Sequence, residues 1–202
     1  MVAGDLYHKI MSNYIRAFQP GGTFFFTVVS HRRRSFLTDD PARCALHQAI
    51  AETRAKYPFQ QEAVVLLPDH LHCLWTLPEG DTDFSLRWKV IKLKFARSYL
   101  RNGGTEWTVS ASRQRRGERG LWQRRFWEHT VRNEREFEIL CNYIHYNPVK
   151  HGHADCPHGW PYSSFEKFVA QKRYSLDWCC ECDGKMILPH ERPVLESAIV
   201  GE

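Results

Sequence analysis

Residues 57–78 read YPFQQEAVVLLPDHLHCLWTLP, and this stretch decides the fold. Two runs rich in apolar, β-branched and aromatic residues are typical of strands, and Pro68 interrupts them. Because the second run starts so soon after the first one ends, the two strands must form an antiparallel hairpin. Side chains alternate along a strand, so His70 and His72 share one face. Leu71 and Cys73 then point to the opposite face.

The segment before this hairpin predicts a strand and a helix. Residues 21–30, GGTFFFTVVS, have the β-branched and aromatic composition of a strand opened by two glycines. Asp40 is a suitable helix cap with Pro41 at the first helical position. The buried stripe of that helix is expected to consist of Ala42, Leu46 and Ile50.

The segment after the hairpin predicts a helix, a strand and another helix. Residues 81–104 carry apolar side chains at helical spacing and end at a glycine pair. Residues 103–120 are polar, glycine-rich and basic, which predicts a mobile loop. RRFWEHTVR, residues 124–132, predicts a strand. Asn133 and Glu136 then form a capping-box-like start for a helix that Pro148 is expected to end.

The first six elements therefore follow the order β-α-β-β-α-β. This order predicts an α+β fold of the ferredoxin-like kind, with an antiparallel sheet and an added C-terminal helix. We expect one catalytic domain over residues 1–170 and a C-terminal tail over residues 171–202. With 43% hydrophobic residues the chain can build a substantial core, and no apolar run approaches the roughly 18 residues that span a membrane. The first residues also lack the pattern of a signal peptide, so we expect a cytoplasmic protein.

The charges are segregated along the chain. Residues 84–135 hold fourteen Lys or Arg against four acids, a local balance of +10 within a total of +5. Aromatic side chains are interleaved with these cations: Trp88, Trp107, Trp122, Phe126 and Trp127. A charge run is usually a solvated surface, but cations beside stacking rings are typical of nucleic-acid binding. The pattern favours nucleic acid over a plain surface.

The seven cysteines give little sign of a metal site. Cys44, Cys73 and Cys141 occur singly in apolar patterns, which predicts reduced, buried thiols. WCCECDG, residues 178–184, has three cysteines, but their spacing is not the C-x-x-C of a zinc knuckle and no matching pair follows. The sequence therefore disfavours a structural metal there.

The last helix brings two polar residues to one flank. At about 100° per residue, Tyr143 and Asn147 lie one turn apart beside the apolar stripe, whereas Tyr146 falls roughly opposite the stripe and should face solvent. Tyr143 and Asn147 could reach the edge of a site on the sheet. Taken alone, however, each residue has a plain structural interpretation. Paired histidines on a strand are more often structural than metal ligands, a tyrosine can simply pack, and asparagine often precedes a helix-ending proline.

At this point the sequence resembles a known family. PDHLHCLW resembles the His-hydrophobe-His signature of the HUH endonucleases. Together with residues 122–152, WQRRFWEHTVRNEREFEILCNYIHYNPVKHG, it resembles the REP-associated tyrosine transposases, bacterial relatives of single-tyrosine HUH transposases. The resemblance runs from GGTFFFTV to WPYSSF, which is most of the chain. YIHYNPVKHG after RFWEH is the specific part of it.

The resemblance implies a site and a chemistry. His70, His72 and Asn147 would bind a divalent metal, Mg²⁺ or Mn²⁺, and Tyr143 would be the nucleophile. The reaction would cleave and rejoin single-stranded DNA at REP-type palindromic hairpins through a 5′-phosphotyrosine. The protein would then be bacterial, cytoplasmic and associated with the nucleoid. The sequence leaves its oligomeric state undecided, with a monomer favoured.

DNA recognition requires phosphate-binding cations and stacking surfaces. The candidates that the chain offers are Arg16, Gly21, Gly22, Arg32, Arg33, Arg34, Arg124, Arg125 and Trp127. Each arginine could equally be an ordinary surface charge. Two other functions stay open at this point: a DNA-binding protein that has lost cleavage, and a zinc hydrolase that uses His70 and His72 on a small molecule.

Overall fold

The computed structural model describes residues 21–180. Its strands are β1 (Thr23–Val29), β2 (Gln60–Leu66), β3 (His70–Thr76) and β4 (Trp127–Thr130). Its α-helices are α1 (Asp40–Lys56), α2 (Phe84–Arg101), α3 (Ala111–Arg115), α4 (Glu134–Lys150) and α5 (Phe165–Ala170). Short 3₁₀ helices occupy His31–Arg33 and Pro157–Gly159. None of the helices within residues 21–180 is long and apolar enough to cross a membrane.

The four strands form one antiparallel sheet in the order β2-β3-β1-β4. The hairpin predicted from residues 57–78 pairs β2 with β3, from Gln60 opposite Thr76 to Leu66 opposite Leu71. Strand β1 lies between β3 and β4, so β1 and β3 are the central strands and β2 and β4 are the edges. This is the ferredoxin-like arrangement, and the predicted fold class is confirmed.

One face of the sheet is covered by α1 and α2 and is packed with aromatic rings. Phe26 of β1 lies 5.0 Å from the ring of Trp75, and Trp75 stacks on Trp88 of α2 at 4.2 Å. Leu71 and Cys73 point to this face as well. The apolar side chains at helical spacing in α2, Trp88, Ile91, Phe95 and Tyr99, are buried against this face. This face is the main hydrophobic core.

Helix α4 covers the opposite face. Leu140 and Ile144 pack against Phe25, Val65 and Leu74 of the sheet. The added C-terminal helix of the sequence prediction is therefore confirmed. Its start is capped as expected, because the Asn133 side chain accepts a hydrogen bond from the Glu136 amide.

Residues 151–180, which we call the cover segment, fold back over α4 and β2. The Trp160 indole donates to the Leu66 carbonyl at 2.9 Å, and the Tyr174 hydroxyl donates to the Asn142 side chain at 2.7 Å. His145 of α4 is fully buried and lies 2.8 Å from the Ser164 hydroxyl. Burial lowers its pKa to about 3, so this histidine is neutral. The division of the chain at residue 170 stays a prediction.

Three local predictions are wrong. Helix α4 does not end at Pro148 but continues to Lys150. A proline in the last turn removes only one amide donor. The turn that follows is closed by the His151 amide, which donates to the Asn147 carbonyl at 3.1 Å. Cys44 is exposed rather than buried. In α1 the cap is Asp39 rather than Asp40, and Ile50 is only half-buried, whereas Ala45 and Ala49 are buried beside Ala42 and Leu46.

Residues 103–120 have more structure than a mobile loop. They contain α3, and ion pairs join Arg113 and Arg116 to Glu118, at 2.8 Å each, and Arg119 to Glu106. Gly120 is required by packing, since a Cβ atom there would lie 1.7 Å from the Trp107 carbonyl oxygen. Several cations of the basic stretch are therefore paired within the protein and are not part of an open basic surface.

Candidate active site

The two histidines of β3 lie side by side on the face that α4 covers. Their ring centroids are 4.8 Å apart, and the residues are 2% and 1% exposed. Strand alternation places them on one side, as the sequence predicted. Burial next to a second imidazole and the nearby Lys150 holds the pKa of His72 well below its usual value. His72 is therefore a neutral imidazole, the form that can bind a metal.

Each histidine is oriented through its Nδ1 atom. His70 Nδ1 donates to the Asp69 carboxylate at 2.6 Å, and that carboxylate also accepts from Arg33 at 2.9 Å. Burial alone would raise the pKa of Asp69, but the hydrogen bonds and charges of His70 and Arg33 lower it to about 2. His72 Nδ1 lies 2.9 Å from the Thr27 hydroxyl. With each Nδ1 engaged as donor, the Nε2 lone pairs are left for a ligand.

Helix α4 brings Tyr143 and Asn147 to the same place. The Tyr143 ring lies 5.2 Å from the His72 ring and 5.9 Å from Phe25. Asn147 is fully buried, and among the described residues neither its amide oxygen nor its amide nitrogen has a hydrogen-bond partner. Leaving a buried amide unpaired costs roughly 1–3 kcal/mol, so a partner is expected. An oxygen donor beside two imidazoles fits a divalent cation.

The position of Tyr146 differs from the prediction. It is only 9% exposed, against 4% for Tyr143. Every residue from Tyr143 to Pro148 is buried, because the sheet covers one side of α4 and the cover segment packs on another. A helical wheel with one buried face cannot describe a helix enclosed in this way. Proximity to His72, not solvent exposure, is what distinguishes Tyr143.

Two further residues at the site were missed by sequence reasoning. The Lys150 ammonium lies 5.2 Å from the Tyr143 ring centroid, and the His151 ring lies 5.4 Å from His70. Both follow Pro148, where the helix was expected to end. Their spacing from Tyr143, seven and eight residues, places them on the same flank as Asn147 and could have revealed them. Lys150 brings a positive charge to the tyrosine that the site would otherwise lack.

The predicted DNA-contacting residues are spread over the surface around the site. Arg33 reaches His70 through Asp69, and Trp127 contacts Phe25 at 5.6 Å, which in turn contacts His72 and Tyr143. Arg32 and Arg34 are exposed, and Arg34 lies over the Trp107 ring at 5.9 Å. Arg32 and Arg33 have φ angles of 54° and 52°, a left-handed conformation that non-glycine residues keep at a cost and that is frequent in functional loops.

The other residues predicted to contact DNA are exposed, or have a structural role within the protein. Arg124 and Arg125 are exposed, and Arg124 lies 3.7 Å from Glu118. Gly21 adopts φ +69° and donates its amide to the Asp81 carbonyl at 3.0 Å, so the Gly21–Gly22 turn has a structural explanation. Arg16 lies outside the described residues. A role of these residues in DNA binding stays a prediction.

Comparison with known proteins decides the family. A family model described as "Transposase IS200 like" matches residues 23–147. A REP-associated tyrosine transposase of Escherichia coli K12 is 41% identical over 168 residues, which is 83% of this chain and 91% of that protein. This chain belongs to the REP-associated tyrosine transposases. The expectation of a tyrosine transposase, drawn from the resemblance, is confirmed.

Two other comparisons agree. A Haemophilus influenzae relative that carries the same family name is 41% identical over 169 residues, covering 83% of this chain and 93% of the relative. A solved structure of a REP-associated tyrosine transposase bound to a REP hairpin superimposes with a TM-score of 0.68 at 41% identity, over 83% of this chain and 91% of that chain. Residues 23–147, which the family model matches, include the sheet together with His70, His72, Tyr143 and Asn147.

Proposed function

We propose that this transposase cleaves and rejoins single-stranded DNA at REP-type hairpins, with Tyr143 as the nucleophile and His70, His72 and Asn147 as the metal-binding residues. The observation that supports it most strongly is that His70, His72 and Tyr143 are buried in contact between β3 and α4, with the buried Asn147 one helical turn after Tyr143. Each has a plain structural interpretation when taken alone. A strand and a helix that are distant in sequence bring them together, and a packing role explains neither the two oriented imidazoles nor the unpaired amide of Asn147.

The metal site would be formed by the Nε2 atoms of His70 and His72 and the amide oxygen of Asn147. A divalent ion such as Mg²⁺ or Mn²⁺ supplies charge neutralisation and orientation of the scissile phosphate. Asp69 and Thr27 hold the imidazoles in the required tautomer. Arg33 stabilises the Asp69 carboxylate, so that His70 stays a proton donor on one side and a lone-pair donor on the other.

The Tyr143 hydroxyl oxygen attacks the phosphorus. The new bond joins the tyrosine oxygen to the phosphorus, the bond from the phosphorus to the 3′ oxygen breaks, and the departing oxygen takes up a proton to become a 3′-hydroxyl. The strand is then held as a 5′-phosphotyrosine. Attack by a 3′-hydroxyl on that intermediate reverses the step, so one site both cleaves and joins. The Lys150 ammonium, close to the tyrosine ring, favours the phenolate that forms as the hydroxyl proton leaves.

Exposed arginines near the site are suited to the DNA backbone. Arg32 and Arg34 lie on the loop that also carries Arg33, and Arg124 and Arg125 precede β4. Trp127, half-buried and packed on Phe25, offers a ring on which a base can stack. The relative solved with a REP hairpin supports a hairpin as the partner. We expect the protein to act in the bacterial cytoplasm at the nucleoid, and as a monomer.

The test is a cleavage assay on a single-stranded REP-type hairpin with Mn²⁺. We expect a 3′-hydroxyl product and a covalent protein–DNA adduct, both of which disappear in Tyr143→Phe while hairpin affinity is retained. Binding without cleavage by the wild-type protein, under conditions in which a known relative cleaves its own hairpin, would favour the DNA-binding protein that has lost activity. Membership of a transposase family already favours strand transfer over the zinc hydrolase.

A further inference from the structure

Cysteine and histidine side chains converge where the start and the end of the cover segment meet. Cys156 precedes the 3₁₀ helix Pro157–Gly159, His158 lies within it, and Cys180 follows α5. One ligand atom from each of these three residues lies within 4.8 Å of the others. The sulfur atoms of Cys156 and Cys180, 24 residues apart in the chain, are in disulfide contact.

A disulfide alone does not account for this cluster. It would use two side chains and give no role to the imidazole, yet His158 Nδ1 lies 3.7 Å from the Cys180 sulfur. The next cysteine, Cys179, is adjacent in the chain and has φ +59°, a left-handed conformation that a non-glycine residue keeps only where its surroundings enforce it. Two sulfurs and one imidazole are thus gathered at one point.

The dimensions fit tetrahedral zinc. Bond lengths of about 2.3 Å to sulfur and about 2.0–2.1 Å to nitrogen, at the tetrahedral angle, place a sulfur and a nitrogen about 3.6 Å apart. The 3.7 Å between Cys180 and His158 matches that edge. His158 Nδ1 also lies 3.2 Å from the Leu176 carbonyl oxygen, and zinc binding through Nδ1 would replace that hydrogen bond.

We propose that Cys156, His158 and Cys180 bind a zinc ion that joins the start of the cover segment to its end. Thiolate and imidazole ligands select zinc over the oxygen-preferring magnesium or manganese of the tyrosine site. The thiols lose their protons when the ion binds, and no oxidation is involved. This site is separate from the transposition chemistry and does not depend on the function proposed above.

The position of the site indicates what it would stabilise. Trp178, two residues before Cys180, stacks on Tyr174 at 4.4 Å, and Tyr174 donates to Asn142 of α4. The zinc ion would join the start of the cover segment, at Cys156, to its end, at Cys180. It would thereby hold the segment against the helix that carries Tyr143.

The test uses the full chain with His70→Ala and His72→Ala, so that the tyrosine site cannot contribute zinc. Purified under a non-chelating reductant, this protein should hold about one zinc ion per chain by elemental analysis. Adding Cys156→Ala with Cys180→Ala should reduce the zinc content at least tenfold, and adding His158→Ala should also lower it. The matched controls are Cys44→Ala and His153→Ala, which should keep the zinc. His153 stacks on Trp160 outside the cluster.

Cobalt substitution of the otherwise unmodified protein covers the case in which the cysteine variants fail to fold. Tetrahedral cobalt with thiolate ligands gives intense d–d bands and a near-ultraviolet charge-transfer band, which the thiol-free tyrosine site cannot produce. These bands would support the proposal. A reduced protein that holds no zinc in the His70→Ala/His72→Ala background and gives no thiolate–cobalt band would overturn it, leaving Cys156 and Cys180 as a disulfide.

Discussion

The two faces of the sheet are built from the same strands and differ in chemistry. On the α1–α2 face, Phe26, Trp75 and Trp88 fill the interior with packed rings. On the α4 face, His70 and His72 alternate along β3 with Leu71 and Cys73 of the packed face and are buried to the same degree. Within the described chain, the α1–α2 face leaves single indole N–H groups such as that of Trp75 unpaired, whereas the α4 face leaves both polar atoms of the Asn147 amide unpaired. We infer that packing on the α1–α2 face provides most of the stability, and that the α4 face provides the reacting and metal-binding residues.

The largest effect is expected from the histidines. Replacing His70 and His72 with alanine should reduce cleavage of a hairpin at least about 10³-fold, because positioning and charge neutralisation of the phosphate are both lost. The thermal transition should fall as well, since two buried imidazoles that contact Phe25 and Tyr143 are removed, so cleavage is compared per folded molecule. Cys73→Ala, on the same strand but the opposite face, is the control and should cleave normally when folded. Equal cleavage by the double variant and by the control would contradict the inference that the α4 face provides the chemistry.

The converse change is made on the packed face. Phe26→Ala should lower the free energy of unfolding by about 3–5 kcal/mol, measured by chemical denaturation, because a fully buried ring is removed. Cleavage per folded molecule should be unchanged. Phe25→Leu sharpens the test, since Phe25 is the neighbour in β1 that contacts His72 at 5.5 Å and Tyr143 at 5.9 Å. It should lose activity with a smaller loss of stability, and the opposite ranking of the two variants would contradict the division.

A smaller effect is expected from the residue that orients His70. Asp69→Asn should weaken activation by Mn²⁺ about 10- to 100-fold, since the carboxylate that fixes the imidazole is replaced by a weaker acceptor. The readout is the Mn²⁺ concentration for half-maximal cleavage, which a purely structural role would not move. Asp40→Asn removes a carboxylate from an exposed pair with Arg43 and serves as the control. Equal Mn²⁺ dependence in both variants would remove Asp69 from the site.

The smallest effect concerns neither face. Arg124→Ala with Arg125→Ala should weaken hairpin binding several-fold and lower the slope of log affinity against log salt by about 1.4, if each arginine neutralises one phosphate. Cleavage at saturating DNA should be unchanged. Arg119→Ala, a cation already paired with Glu106, should leave the slope as it is. An unchanged slope in the double variant would mean that these two arginines are only surface charges.

The sequence predicts the sheet and the histidine pair well because both depend on strand alternation. That period is short and is read directly from residues 57–78. The same is true of the Tyr143–Asn147 flank, which depends only on helix phase. The identity of the nucleophile and the ligands came from the family resemblance, since the residues alone left ordinary structural interpretations open.

What the sequence missed depends on tertiary contacts. The burial of Tyr146 requires the cover segment to fold back on α4, and the contribution of Lys150 and His151 requires the helix to continue through Pro148. The Cys156–His158 pair precedes the cysteines at 179 and 180, with α5 between them, so no local spacing links the two. Residues that are distant in sequence and meet only in the folded structure cannot be identified from their spacing in the sequence.

The central claim is that Tyr143, not Tyr146, is the reacting group on the α4 face. Both tyrosines are buried, so exposure does not distinguish them, but Tyr143 lies 5.2 Å from His72. The direct measurement is mass spectrometry of the covalent adduct formed with a single-stranded hairpin and Mn²⁺. Trypsin leaves both tyrosines in residues 136–150, so fragment ions must locate the modification. We predict the nucleotide on Tyr143 and no adduct in Tyr143→Phe. An adduct on Tyr146, or one that persists in Tyr143→Phe, would contradict the account.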